Sequence, residues 1–228
     1  MKSSRGIVAS LALLSVLPAA VARLRAQCAG RAWGAELFTG SAWHLPMPLE
    51  VELPEGRTEF RARYGTRPFT GAPYYSYRIG RSWASGRAVE VEMLHNKLYL
   101  ENPRPPIERF EVSHGYNQPT VNVVRPARGW QLRIGLGVVV AHPEGRIAGR
   151  SVSGGHTLLG RGYHIAGVTV QAALGRRYVL WGERVALTAA PEVKLTASWA
   201  SIPIERGRVS MPDISLHALG GLGVWRCG

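Results

Sequence analysis

Apolar and polar residues alternate with a period of two along most of this chain. Leu132, Ile134, Leu136, Val138 and Val140 fall on one side of an extended segment, with Gln131, Arg133, Gly135, Gly137 and Val139 on the other. Val168, Val170, Ala172 and Leu174 alternate in the same way with Gly167, Thr169, Gln171 and Ala173. Near the end, Ile214, Leu216, Ala218, Gly220, Leu222 and Val224 do so with Ser215, His217, Leu219, Gly221, Gly223 and Trp225. A barrel strand crossing a bilayer needs this pattern, because one face meets lipid and the next residue meets the lumen over about 9–11 positions. The pattern predicts an all-β chain folded as a transmembrane antiparallel up-and-down barrel. Eight strands are expected, over 33–44, 73–83, 87–100, 113–125, 130–142, 163–176, 183–200 and 209–226. Residues 58–66 also alternate and read as the second strand rising above the membrane; a count of ten strands stays open.

Turn lengths orient the barrel, since this architecture puts short turns in the periplasm and long loops outside. Ser85-Gly86 and Pro126-Ala127-Arg128-Gly129 are short connections, and 176–182 is somewhat longer. Segments 45–57, 101–109, 143–159 and 201–208 are long, polar and rich in Pro or Gly, which predicts external loops. Both ends of the domain are then periplasmic. Trp33, Trp83, Trp130, Trp181 and Trp225 fall near that rim, where aromatic girdles sit. Glu90 and Glu92, with Arg78 and Arg133 facing inward elsewhere, predict a lumen crossed by ion pairs. A lumen filled in this way excludes a conducting pore.

The first residues place the chain outside the cytoplasm. Lys2 and Arg5 precede an apolar run from Ile7 to Ala22, and Ala20-Val21-Ala22 has the small-x-small form of a signal-peptidase site. We expect residues 1–22 to be a signal peptide, 23–228 to be the barrel domain, and the destination to be the outer membrane. The barrel-insertion machinery is then an expected partner. Trp225 is followed by Arg226-Cys227-Gly228, so an aromatic is present near the terminus but is not the last residue. Cys28 and Cys227 bracket the domain and, on neighbouring strands of a closed barrel, are placed either to pair or to remain two thiols.

The 228 residues have a mean hydropathy near zero, −0.04, too polar for a helical membrane protein. The formal net charge is +13, and lysine appears only at Lys2, Lys97 and Lys194, so arginine carries it. Such a charge ordinarily points to nucleic acid, which export excludes. Arginine forks also match phosphate, so lipid A, lipopolysaccharide and outer-membrane lipid are the expected partners, with solvated loops the plainer reading of each single arginine.

Polar, titratable residues gather at the outer mouth: His95, Lys97 and Tyr99, then Glu111, Ser113, His114, Tyr116 and Asn117, then His142, with His44 and His164 at similar height. The run Glu92-x-x-His95-x-Lys97-x-Tyr99, followed by Phe110-Glu111-x-x-x-Gly115-x-Asn117-x-x-Thr120-x-Asn122, resembles the outer-membrane lipid A oxidase-like proteins. Ala72-Pro73-Tyr74-Tyr75 upstream and Gly135-x-Gly137 through Ala141-His142-Pro143 downstream are similar to that family as well. The resemblance implies oxidation of the proximal glucosamine of lipid A to an aminogluconate unit by molecular oxygen, with a divalent metal. Carried over position by position, it implies His95, Lys97, Glu111, Asn117 and His142 as active-site residues. Ser113-His114 departs from the more acidic pair expected there.

Two other readings stand beside it. A lipid A deacylase would draw a nucleophile, base and acid from Ser113, His114 or His95, and Glu111. Ser113 and His114 are adjacent, and strand geometry sends adjacent side chains to opposite faces. A non-catalytic barrel would serve the membrane structurally or hold a small hydrophobic molecule.

Overall fold

The computed structural model describes residues 31–153, 156–157 and 160–228. The proposed signal peptide and Cys28, and with it the cysteine pairing, lie outside the described residues. The domain is a closed ring of eight antiparallel strands. They are β1 (Ala32–His44), β2 (Tyr75–Ser82), β3 (Ala88–Leu100), β4 (Ile107–Ala127), β5 (Trp130–Ala141), β6 (His164–Gly175), β7 (Val185–Ile204) and β8 (Gly207–Cys227). Each pairs with the next in sequence, and β8 closes on β1 from Ala32↔Cys227 to His44↔Ser215. Short turns join one end: Gly86 (φ 76°), and Arg128 (φ 51°) with Gly129 (φ 88°), take the positive φ that tight hairpins need.

The expected outer loops are more ordered than their composition suggests. Met47–Leu53 and Gly56–Ala62 form a hairpin that adds to the outer part of β8 through Arg208↔Glu52 and Ser210↔Glu50. Residues 58–62 therefore belong to this hairpin and 45–57 is not a loop, while Tyr64–Gly65 do continue the second-strand position against the top of β3 through Tyr64↔Leu100 and Gly65↔Tyr99. Alternation recurs there because this hairpin also buries one face, placing Leu49, Val51, Phe60 and Ala62 inside. Glu144–Ile147 and Arg150–Ser153 form a second hairpin, paired to the top of β4 from Ile107↔Ile147 to Glu111↔Glu144. Residues 201–208 are likewise the continuing β7–β8 ladder, which runs out to Ile204↔Gly207.

The barrel has two interiors. In the half near the short turns, Glu36, Glu90, Glu92 and Glu192 meet Arg78, Arg133, Arg177 and Lys194. Arg78 lies 2.8 Å from Glu192, Arg133 is 2.7 Å from Glu90, and Arg177 is 2.6 Å from Glu36. The predicted ionic lumen is present. Towards the outer end the interior turns apolar, with Leu49, Phe60, Leu98, Phe110, Ile202 and Val209 in one cluster. Outside the ionic half, Leu37, Ile79, Val91, Leu136, Val170 and Leu222 stand exposed. Trp33, Trp83, Trp130 and Trp181 are exposed at its lower edge, as a girdle requires. Trp225 is not among them: it lies 4 % exposed, donates Nε1–H to Glu36 at 3.1 Å, and carries the Arg177 guanidinium 3.8 Å over its ring. Its odd position on β8 aims it inward, opposite in parity to Leu222 and Val224.

Candidate functional site

β3 carries the centre of the candidate site. Val89, Val91 and Met93 lie on its lipid-facing side, and His95 continues that parity. Pairing puts Tyr75 of β2 on one flank and Asn117 of β4 on the other, and residues paired across a ladder share a face. Tyr75, His95 and Asn117 thus form one rung on the outer wall, just above the apolar belt. His95 Nδ1–H donates to Asn117 Oδ1 at 2.8 Å, and the His95 ring stacks on Tyr75 with centroids 4.8 Å apart. This hydrogen bond holds the tautomer whose Nε2 keeps its lone pair. Nε2 is buried and has no protein partner.

Gly115 makes the rung possible. Its φ is +136°, and a Cβ there would stand 2.1 Å from the Asn117 amide nitrogen. It belongs to a bulge: Leu98 pairs with Val112 while Asn96 pairs with Tyr116, so β4 bows outward through Ser113, His114 and Gly115. The bulge breaks the alternation expected at Ser113 and His114, whose side chains come within 3.4 Å. Both Ser113 Oγ and Glu144 Oε1, the latter at 2.8 Å, meet the same ring nitrogen of His114, Nδ1. A nucleophile–base–acid relay needs the two ring nitrogens on opposite partners, so this trio does not make one.

His142 joins that second group, 3.5 Å from Glu144 and edge-on to Tyr163 at 4.8 Å. His164 stands at the start of β6. Lys97 is fully buried and donates to the carbonyls of Arg67 (3.0 Å), Thr70 (2.5 Å) and Ala72 (2.6 Å). All three of its protons are used on the segment leading into β2. Glu111 sits on the outer part of β4, with Arg109 at 3.9 Å as its ion-pair partner, and has no contact with His95. The structure therefore joins His95 to Asn117, sets His142 in the neighbouring group, and assigns Lys97 and Glu111 elsewhere. Among the described residues no three His, Cys, Asp or Glu side chains are grouped to hold a metal ion. The His95 rung offers a single free imidazole nitrogen, since the Lys97 ammonium is spent on carbonyls, and that is too few ligands for a divalent metal.

His44 turns inward instead of joining the crown. It bonds Asp213 at 2.8 Å and Thr66 at 3.0 Å, and Asp213 leads through Ser215 and His217 to the Tyr74 hydroxyl, 2.6 Å from His217 Nδ1. The β8 members of this chain are Asp213, Ser215 and His217, whose period-two spacing marked the lumen face without revealing that they connect. Beside Tyr75 the outer wall holds an apolar groove of about 760 Å³, lined by Leu37, Thr39, Pro73, Tyr75 and Leu222 over Gly220. It lies where β1 loses β2, since their pairing ends at Thr39↔Tyr75.

A closed barrel with an apolar belt, an aromatic lower girdle and no free sheet edge across the belt is built for lipid on its outside. The chain is an eight-stranded outer-membrane barrel. No family model matches the sequence, and no curated protein matches it. Among solved structures it is similar to the outer membrane protein AlkL in lipid bilayers, at 12% identity over 86% of this chain and 89% of that one, with a TM-score of 0.48. It is also similar to OprG from Pseudomonas aeruginosa, at 12% identity over 89% of this chain and 98% of that one, with a TM-score of 0.43.

Proposed function

We propose that this barrel acts on lipid A at its outer wall, and that the reaction is the one its motif resemblance implies, oxidation of the proximal glucosamine. The supporting observation is the Tyr75–His95–Asn117 rung, with a buried, unpartnered His95 Nε2 just above the apolar belt. A lipid headgroup lies outside the barrel at that height, so a lipid-facing site reaches it and a lumenal one does not. In this reading His95 accepts the proton of the sugar C1 hydroxyl while the C1–H bond breaks and its two electrons pass to molecular oxygen, which leaves as hydrogen peroxide. Water then opens the lactone to the acid, Asn117 fixes the His95 tautomer, and Tyr75 fixes its plane. The groove beside Tyr75 has a volume within the range of about 300–1,000 Å³ common to ligand sites and leaves room for an acyl chain.

The second reading, a non-catalytic small outer-membrane barrel, is favoured by the spent donors of Lys97 and by the separation of Glu111 from His95. Mass spectrometry of lipid A from cells producing the protein separates the two. One added oxygen that disappears in His95→Ala and Asn117→Ala supports the oxidase. An unchanged lipid A supports the non-catalytic barrel, and a lost acyl chain supports a deacylase.

A further inference from the structure

The strongest charge asymmetry lies at the opposite rim from the candidate site. On the outer end acids stand among the arginines, and three pairs form: Arg57 with Glu50, Arg146 with Glu108, and Arg206 with Glu55. At the short-turn rim Arg87 and Arg128 sit in or beside the turns, and Arg125, Arg176, Arg184 and Arg226 stand at strand ends, against Glu183 as the acid of that rim. Among the described residues none of these arginines has a carboxylate partner. Acids thus offset much of the charge at the outer end and little of it at this rim.

One rung concentrates it. Trp33 of β1 pairs with Arg81 of β2 on one side and with Arg226 of β8 on the other. All three share the lipid-facing parity of Leu37, Ile79 and Val224, which are exposed. The Arg81 guanidinium lies over Trp33 at 5.3 Å and over Trp83 at 5.7 Å. Its Nε is buried without a hydrogen-bond acceptor. Two neighbouring strand spacings, about 10 Å in all, separate the Arg81 and Arg226 backbones, a gap that two arginine side chains close readily. A guanidinium held flat on indole, a second beside it and no internal anion make a receptor for a tetrahedral oxyanion at the interface.

We propose that Arg81, Trp33 and Arg226 bind the phosphate of an anionic phospholipid in the leaflet facing the short turns. The ligand is a lipid rather than a soluble anion because the rung opens onto the lipid-facing wall, between the apolar belt and the tryptophan girdle. Its glycerol and acyl portions then run up along Leu37, Ile79 and Val224 while the phosphate stays at the rim.

The test uses the whole folded domain in nanodiscs of neutral phosphatidylcholine doped with either phosphatidylglycerol or lipid A. Lipids retained on the protein after release are counted by native mass spectrometry. Preferential retention of phosphatidylglycerol, falling about fivefold in each of Arg81→Gln and Arg226→Gln, is the expected result, since one arginine near a membrane surface contributes about a factor of five. Arg81→Lys, which keeps charge but loses the flat face, should fall between wild type and Arg81→Gln, and Arg57→Gln should change nothing. Heat-modifiable migration on gels confirms that each variant is folded. Equal retention of phosphatidylcholine and phosphatidylglycerol overturns the proposal, as does a preference that survives both Gln changes. Retention of lipid A in place of phosphatidylglycerol that falls in both Arg81→Gln and Arg226→Gln also overturns it, whereas lipid A retention lost only in His95→Ala belongs to the other site and leaves the phosphatidylglycerol result to decide.

Discussion

The lower and upper halves of the barrel use the same strands with opposite polarity. On β7, Thr188, Glu192, Lys194 and Thr196 point inward while Leu187, Val193 and Leu195 point out. Past Trp199 the parity is kept but the chemistry swaps: Ala200 and Ile202 are buried, and Ser201, Pro203 and Glu205 lie on the outer side. β8 does the same, from Ser215 and His217 inside to Met211 and Val209 inside. Where the outside is lipid, apolar side chains gain nothing by facing in, so the lumen is free to be ionic. Where the outside is water, the ordinary hydrophobic drive returns and the strands close over an apolar core. The membrane's upper edge is written at the point of inversion.

Breaking the lower half should cost most. Arg78→Met leaves Glu36 and Glu192 short of a counter-charge in a closed lumen, and removing one partner of such a network costs about 3–5 kcal/mol; urea unfolding in lipid vesicles should show a loss of that size, and an unchanged midpoint would mean that water reaches the lumen. In the upper half, Ile202→Ala should cost about 2–5 kcal/mol. Its signature should be local, with faster proteolysis of the outer hairpins while the heat-modifiable barrel persists. Lys97→Met should cost about 1–3 kcal/mol by leaving the Ala72 carbonyl without a donor and those of Arg67 and Thr70 with only their longer bonds from Thr70 N–H and the Tyr99 hydroxyl, read as new protease cleavage within 66–74. Arg57→Gln, which removes an exposed pair with Glu50, should stay within about 0.5 kcal/mol of wild type.

Alternation revealed the strands because burial with period two holds whether the buried face is ionic or apolar. That same indifference misplaced residues 58–62, which alternate like a barrel strand but belong to the water-side core, while the polar, Pro-containing Met47–Leu53 read as a loop. At the site, the spacing of His95 and Asn117 carried real information, since the register sets them side by side. Lys97 and Glu111 share the same motif, yet nothing in their spacing told that one would be consumed by loop carbonyls and the other left beyond the bulge. The arginine count said nothing of which rim each one reaches, and Arg81 and Arg226 come beside Trp33 only through the ring closure.

The sequence by itself determined an antiparallel transmembrane barrel and its ionic lumen, because these follow from local periodicity and turn length; the ring closure then fixed the count at eight. Only the tertiary structure decided that His95 is buried on the outer-wall parity of β3, that Trp225 turns into the lumen, and that Asp213, Ser215 and His217 link His44 to Tyr74. Those depend on strand register, on one bulge at Ser113–Gly115, and on which ends of distant strands close the ring. Such contacts join residues far apart in the chain, so no window of sequence contains them.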